Sequence, residues 1–475
     1  MAIRCLVVGW DAADKETVED MLRAGDLPVL QSVRQRGVSG TIEALAGLGD
    51  DAHWATFVTG MPPGEHGRFH HRQTAPDSYD EVPFRRSQMT LPPFWQTLSA
   101  EGSRVAILDV PKSPIADTPG CRQVVDWMPH GEDNAAPSGS PPAIVADVAR
   151  RFPAKQLSEC HEVVVDAASI EAIFGTIMSR LAARTRLLTE WSNEQDWDLL
   201  MAVFAESHCV GHHAWHVHDR SHSEHLPLVS GVDPVRTTYI GLDRALGQLM
   251  EAAGPEAAVV VFSLIGMGSN YSGTPLLDEV LRRLEPTLAG AAGSRGLGSR
   301  AGSRMPRVLR RFLPRSARRA YAVHHDAISG AIRLNLKGRE PHGRVAPGAE
   351  YAVLCDTLEQ ELRQLVDPHS GHRLVMDVVR VRERYPGPKT DAFADLLVVW
   401  DQRAPIRAAS SERVGVVSAP SSPQRTGNHR PGGWFVTNRP HVLAATTPSP
   451  VRVVEIGLGI GSLLAPAVTP PLRRR

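Results

Sequence analysis

Residues 3–9 (IRCLVVG) form a nearly all-apolar run rich in β-branched side chains. A strand without polar alternation must be covered on both faces, which points to the interior of a parallel sheet. The pattern recurs at residues 105–110 (VAILDV), 199–205 (LLMAVFA), 257–262 (AAVVVF) and 396–400 (LLVVW). Between these runs the apolar spacing is helical. Residues 14–36 place Val18, Met21, Leu22, Leu30 and Val33 on such a pattern, and residues 169–191 and 235–252 behave likewise. Strand and helix in alternation predict an α/β fold with a doubly wound, mostly parallel sheet. In such sheets the site forms beyond the carboxyl ends of the strands.

Composition narrows the class. Of 475 residues, 42% are hydrophobic and 22% charged, which excludes a wholly disordered chain, a fibrous repeat and a mini-protein. Lys+Arg 52 balances Asp+Glu 52, so charge gives no sign of a nucleic-acid partner and none is expected. No stretch approaches the ~18 apolar residues of a membrane span, so no stable membrane insertion is expected. The five cysteines are scattered and include no CxxC pair, which argues against a disulfide framework or a thiolate zinc site. With an Asp inside the only apolar run near the N-terminus, no signal peptide is read, and a reduced, cytoplasmic compartment is expected. The outlier is 20 His against 6 Tyr.

Two regions break the alternation. Residues 129–142 are rich in Pro, Gly and Ser, and residues 128–195 are expected as a helical cap inserted into one domain spanning 1–475. Residues 286–320 are Gly/Ser-rich and then basic, and read as a flexible linker. Within it Val308, Leu309, Phe312 and Leu313 fit one face of an amphipathic basic helix, the competing interpretation.

Four segments carry chemistry. Asp11 follows the first strand, where it either faces the crevice or caps a helix. Asp50 and Asp51 open an apolar helical turn, an arrangement that ordinary capping also explains. His208 and His212 lie four apart after a predicted strand, so on a helix they share a face and suit one zinc ion. His213, His216 and His218 point elsewhere and are expected to be solvated or packed. His429 lies in a turn, GNHRPGG.

In this order, VVGWDAAD (7–14), LPVLQSVRQRGVSG (27–40), WATFVTGMPPGEHG (54–67), the His208/His212 segment, FSLIGMG (262–268), AIRLNLKGREPHG (331–343) and GNHRPGG resemble the alkaline phosphatase superfamily. The branch is the type I phosphodiesterase/nucleotide pyrophosphatase group. The resemblance implies an αβα sandwich with a two-metal site, usually zinc, and a Ser or Thr nucleophile. Asp11 matches the first-strand Asp ligand, His212 the His of an Asp-x-x-x-His motif, and His429 the late His ligand. Three positions depart. The Asp partner of His212 is His208, the adjacent Asp-His pair is Leu264-Ile265, and the nucleophile position holds Asp50. His53 falls where some relatives place an Asn that touches substrate.

Leu and Ile have no lone pairs, so one metal pocket is lost, leaving Asp11 and Asp50 as at most a weak Mg²⁺ site. The other becomes His208, His212 and His429, an imidazole set known for catalytic zinc. One zinc per chain is expected, a second metal is not. The expected function is hydrolysis or transfer of a small-molecule phosphate ester or related anionic ester. Asp50 would be ligand, base or nucleophile, with His53 and Arg72, Arg425 or Arg430 nearby in motif terms. The alternative is a catalytically inactive binding or scaffold descendant of the same fold. In this comparison Glu65 and His66 are candidates for support of the ligands, and Asn335, Lys337 and Arg339 for reaching the cleft.

Overall fold

The structure, a computed structural model, describes residues 2–127, 136–152, 166–227, 231–292, 313–326, 328–419, 425–439 and 450–464. The first strand, Ile3–Trp10, lies between Trp197–Phe204 and Ala258–Ser263 and runs parallel to both. Val105–Leu108 and Cys121–Val125 extend the parallel core on the Trp197–Phe204 side. Gly433–Thr437 adds antiparallel to Ala258–Ser263, followed by Val38–Glu43 and Val451–Arg452. Together with Ser138–Ser140 at the far edge these make nine strands among the described residues.

Alternation within Ile3–Trp10 divides two cores. Leu6, Val8 and Trp10 pack with the helices Lys15–Ala24, Pro28–Gln35, Ala167–Ser192, Glu206–His218 and Pro234–Ala253. Cys5 and Val7 face the opposite layer, Asp50–Thr59, Phe94–Ala100 and Val453–Leu464. The result is the doubly wound sheet that the apolar runs predicted, in the αβα sandwich that the resemblance implied.

Residues 14–36 form two helices where the spacing suggested one segment. Gly25 takes φ 81°, a left-handed turn that returns its N–H to Leu22, and Pro28 then starts the next helix. Asp14, not Asp11, is the capping residue, accepting from Thr17 N at 2.8 Å.

Leu396–Trp400 is a strand, but outside the main sheet. It belongs to a four-stranded antiparallel sheet with Ala320–Val323, Ser329–Leu334 and Val375–Arg380. Leu396, Val398 and Trp400 bury against the helices Thr274–Ala291 and Ala349–Arg363, while Leu397 packs toward Phe69 and Tyr321. Coverage on both faces gives it the composition of a parallel strand, which is why the sequence pattern could not separate the two sheets.

Of the expected cap, 128–135 and 153–165 lie outside the described residues. The helix Ala167–Ser192 is a member of the main helical layer. Its Arg184, with a fully buried side chain, pairs with Asp109 and Glu206 at the ends of two core strands. Of the expected linker, residues 293–312 lie outside the described residues, including Val308, Leu309 and Phe312. Its first residues continue the helix Thr274–Ala291 through Pro286. Its basic end is fastened: Arg318 binds Asp278 at 2.7 Å and Arg319 binds Glu285 at 2.9 Å. The four described cysteines are buried and form no disulfide. No described helix is long and apolar enough to cross a membrane.

Candidate metal centre

Trp197–Phe204 ends at the carboxyl edge of the sheet, and Glu206–His218 begins after a single intervening residue, Ala205. That geometry carries His208 and His212 to the edge on one helical face. His429 arrives from the two-stranded antiparallel sheet of Gly266–Ser269 and Gly427–Arg430, directly across from Met267. Gly427 permits the approach: a Cβ there would lie 1.9 Å from the Gly211 carbonyl oxygen. With the strand this close, the Gly427 carbonyl accepts from His212 Nδ1 at 2.9 Å. That bond leaves His212 Nε2 with the lone pair.

The three predicted imidazoles converge. His208, His212 and His429 are all buried, and one nitrogen from each lies within 4.8 Å of the others. His208 Nε2 and His212 Nε2 are 2.9 Å apart. Two ligands on a tetrahedral zinc with 2.0–2.1 Å bonds stand about 3.3 Å apart, so a few tenths of an ångström of rotation would admit the ion. The donor set and spacing therefore fit a zinc-type cation.

A second acidic residue joins Asp50. Asp326 Oδ1 lies 3.7 Å from His429 Nδ1, and Asp50 Oδ1 lies 3.9 Å from the same nitrogen. Asp50, Asp326 and His429 thus form another convergent donor group. Asp326 rests against the start of the helix Asp50–Thr59, where a Cβ on Gly49 would fall 1.5 Å from its Oδ2. The helix dipole favours a carboxylate there. Burial pushes the Asp326 pKa up, but the close approach of His429, then the charge of His70 and His325, hold it well below the usual range. Nothing in the strand periodicity singles out Asp326. The only signal was the HHD run just after a strand.

Asp11 stands beside this centre and outside both groups. Its Oδ1 accepts from Trp54 Nε1 at 2.9 Å, and its Oδ2 is buried without a hydrogen bond. Burial raises its pKa; His208 and His429 oppose that and Asp50 adds to it. Leu264 and Ile265 are 1% and 0% exposed and belong to the two hydrophobic cores, so neither position offers a ligand.

His53, expected to touch substrate, is placed otherwise. It is fully buried, its Nδ1 donates to Gly49 O at 2.7 Å, and its Nε2 accepts from Leu45 N at 2.9 Å. Both nitrogens serve the backbone, and burial lowers its pKa to about 4. His66 likewise binds Thr56 Oγ1 and Arg68 N. Asn335 holds Tyr79 and the Arg318 carbonyl, and Arg339 holds Asp395, so these build the antiparallel subdomain. His216 and His218 are packed, on Thr426 and Asp233. Of the three arginines, Arg425 reaches the acidic pair, 4.0 Å from Asp326. Arg72 is turned to the Glu81 carbonyl and Arg430 to those of Ser269 and Gln402.

Asp51 departs most from Asp50, its neighbour. Its carboxylate is 3% exposed and binds Arg68 at 2.8 Å and Lys112 at 3.5 Å. Burial pushes its pKa up, but Lys112 and Arg68 more than offset this and hold it well below the usual range.

A parallel-centred αβα sandwich with imidazoles and carboxylates gathered at its strand ends has the alkaline-phosphatase-like architecture of phosphodiesterases. The family model for type I phosphodiesterase / nucleotide pyrophosphatase matches residues 5–431, and the chain belongs to that family. Among solved structures it is similar to phosphonoacetate hydrolase from Sinorhizobium meliloti 1021 in complex with phosphonoformate. The identity is 16%, covering 98% of this chain and 96% of that one, with a TM-score of 0.55. It is also similar to human ectonucleotide pyrophosphatase / phosphodiesterase 5, at 12% identity over 97% and 94% of the two chains and a TM-score of 0.51. At such identities the likeness is one of fold. No curated protein matches the chain in sequence.

Proposed function

We propose that the chain is a metal-dependent hydrolase of phosphate esters or related anionic esters, with one zinc-type cation at His208, His212 and His429. The observation that carries this is the convergence of the three buried imidazoles, one nitrogen of each within 4.8 Å of the others. A bound zinc would supply positive charge to an ester oxygen and lower the pKa of a water at its open position to about 7.

The remaining roles belong to the chain. Asp50 is 15% exposed at its side chain and sits at a helix start, the one carboxylate of the pair with more open access. As the general base it takes the proton from the attacking water. Asp326 stays ionised beside it and holds His429 in place. Arg425, anchored by Asn428 Oδ1 at 2.6 Å, presents positive charge to an anionic ester. Asp11, held by Trp54 Nε1, adds a carboxylate beside the centre.

The test is metal content together with turnover of aryl phosphate mono- and diesters. The expected result is one zinc at this centre and turnover that His212→Ala removes. Metal-free protein, or H212A turning over as fast as wild type, contradicts the proposal. The placement of Leu264 and Ile265 in the cores, with Asp at the nucleophile position, favours the alternative of an inactive binding descendant. That alternative predicts metal and anion binding in the same assay with no turnover of either ester.

A further inference from the structure

We propose that His70, His71 and His324 form a separate binding site for a divalent transition metal of the zinc class. The site shares no ligand with the centre at His208, His212 and His429. One ligand nitrogen from each of the three residues lies within 4.8 Å of the others. The ring centroids are 4.0 Å apart for His70–His71, 5.0 Å for His70–His324 and 5.4 Å for His71–His324.

Consecutive residues in a strand point to opposite faces, so two neighbouring imidazoles rarely meet. Here the strand starts only at Arg72, after a left-handed turn at Gly67, φ 77°. The irregular chain between them lets His70 and His71 face each other. His324 comes from a different part of the fold, just past Ala320–Val323, where its backbone N–H donates to Glu81 Oε1 at 2.6 Å.

The outer nitrogens are already engaged in the way metal-binding imidazoles require. His70 Nδ1 lies 3.1 Å from the Arg72 carbonyl and 3.3 Å from the Arg72 N–H, and in the tautomer that donates to the carbonyl Nε2 is its ligand atom. His71 Nδ1 faces Asp51 Oδ2 at 3.6 Å, a carboxylate–imidazole pair of the kind that raises ligand basicity. Arg68 and Lys112 share that carboxylate through its other oxygen, Oδ1, at 2.8 and 3.5 Å. Burial is graded from His70, buried, through half-buried His71 to exposed His324. His324 also lines a cavity of about 540 Å³ with Glu81, Arg315 and Arg318. An ion therefore has a path from solvent, and a fourth position can hold water.

Bound there, a cation would tie the 67–74 segment to the antiparallel subdomain. Three imidazoles suit zinc, copper or nickel over magnesium or calcium. The experiment is titration of the metal-stripped full chain with Zn²⁺ and Co²⁺, reading stoichiometry, the visible absorption of bound Co²⁺ and the metal-dependent rise in melting temperature. The expected result is two equivalents for wild type and one for His324→Ala or His71→Ala, each with a smaller melting shift. H208A/H212A is expected to keep one equivalent, and adding H71A abolishes it. If only the other centre fails, wild type binds one equivalent that H208A/H212A keeps and H71A removes. The proposal is overturned if H324A and H71A bind as much metal as wild type, or if H208A/H212A binds none. Should H71A fail to fold, H324A at the exposed position decides the matter alone.

Discussion

Asp50 and Asp51 are adjacent residues in the first turn of one helix, and the protein uses the two sides of that turn differently. On the Asp50 side, the carboxylate shares its surroundings with Asp326 and His429, partly open and close to one of the three imidazoles. On the Asp51 side, the carboxylate is closed in by Arg68 and Lys112 and braces His71. The residue type and the helix position are the same. What separates a candidate reactive group from a structural ion pair is the charge brought by distant chain segments.

The comparison breaks first, and most visibly, in turnover. His212→Ala should remove the cation and almost all hydrolysis. Asp50→Asn should lower kcat on aryl phosphates by a factor on the order of 10²–10⁴, the range of a lost general base, while the fold survives. Asp51→Asn should show the reverse. Taking the carboxylate from a buried pair leaves Arg68 uncompensated, a loss of about 3–5 kcal/mol in denaturant unfolding. Activity per folded molecule should stay near wild type. If Asp51→Asn abolished turnover in a fully folded protein, the division between the two sides would be wrong.

Next comes packing at the lost metal pocket. Leu264→Ala should cost about 2–5 kcal/mol of stability, as for any fully buried Leu, with no change in metal content. Asp326→Asn should weaken metal affinity by roughly 10–100-fold, the usual effect of removing a group that orients a ligand. The smallest effect is in pH dependence. Burial, with Arg68 and Lys389 adding to it, lowers the His66 pKa to about 3. The unfolded chain takes up that proton near pH 6.5 and the folded chain only near pH 3. Stability therefore falls as pH drops through this window, by about 1.4 kcal/mol at pH 5.5 from this residue. His66→Gln should flatten that part of the urea-midpoint profile.

How far the sequence led depended on the range of the interaction. The parallel core was legible because burial on both faces leaves a continuous apolar run, as in Ile3–Trp10. The three imidazoles were legible because His208 and His212 share a helix face, a local relation, and because the resemblance supplied His429. Asp326 was not, since it comes from the connection between Ala320–Val323 and Ser329–Leu334, far along the chain, and meets His429 only in the folded structure. His53 shows a similar effect. Its position matched a substrate-contacting residue, but backbone groups of Leu45 and Gly49 claim both nitrogens. Leu396–Trp400 shows the limit of periodicity, because an antiparallel strand covered on both sides has the same pattern as a parallel one.

The most direct measurement is stepwise return of Zn²⁺ to metal-stripped protein while following aryl phosphate diester hydrolysis. Turnover should rise with filling of the His208, His212 and His429 centre, saturate at the same level in H324A, and never return in H212A. Full activity in the stripped protein, or recovery of H212A at the wild-type zinc ratio, would show that the buried imidazoles do not drive the chemistry.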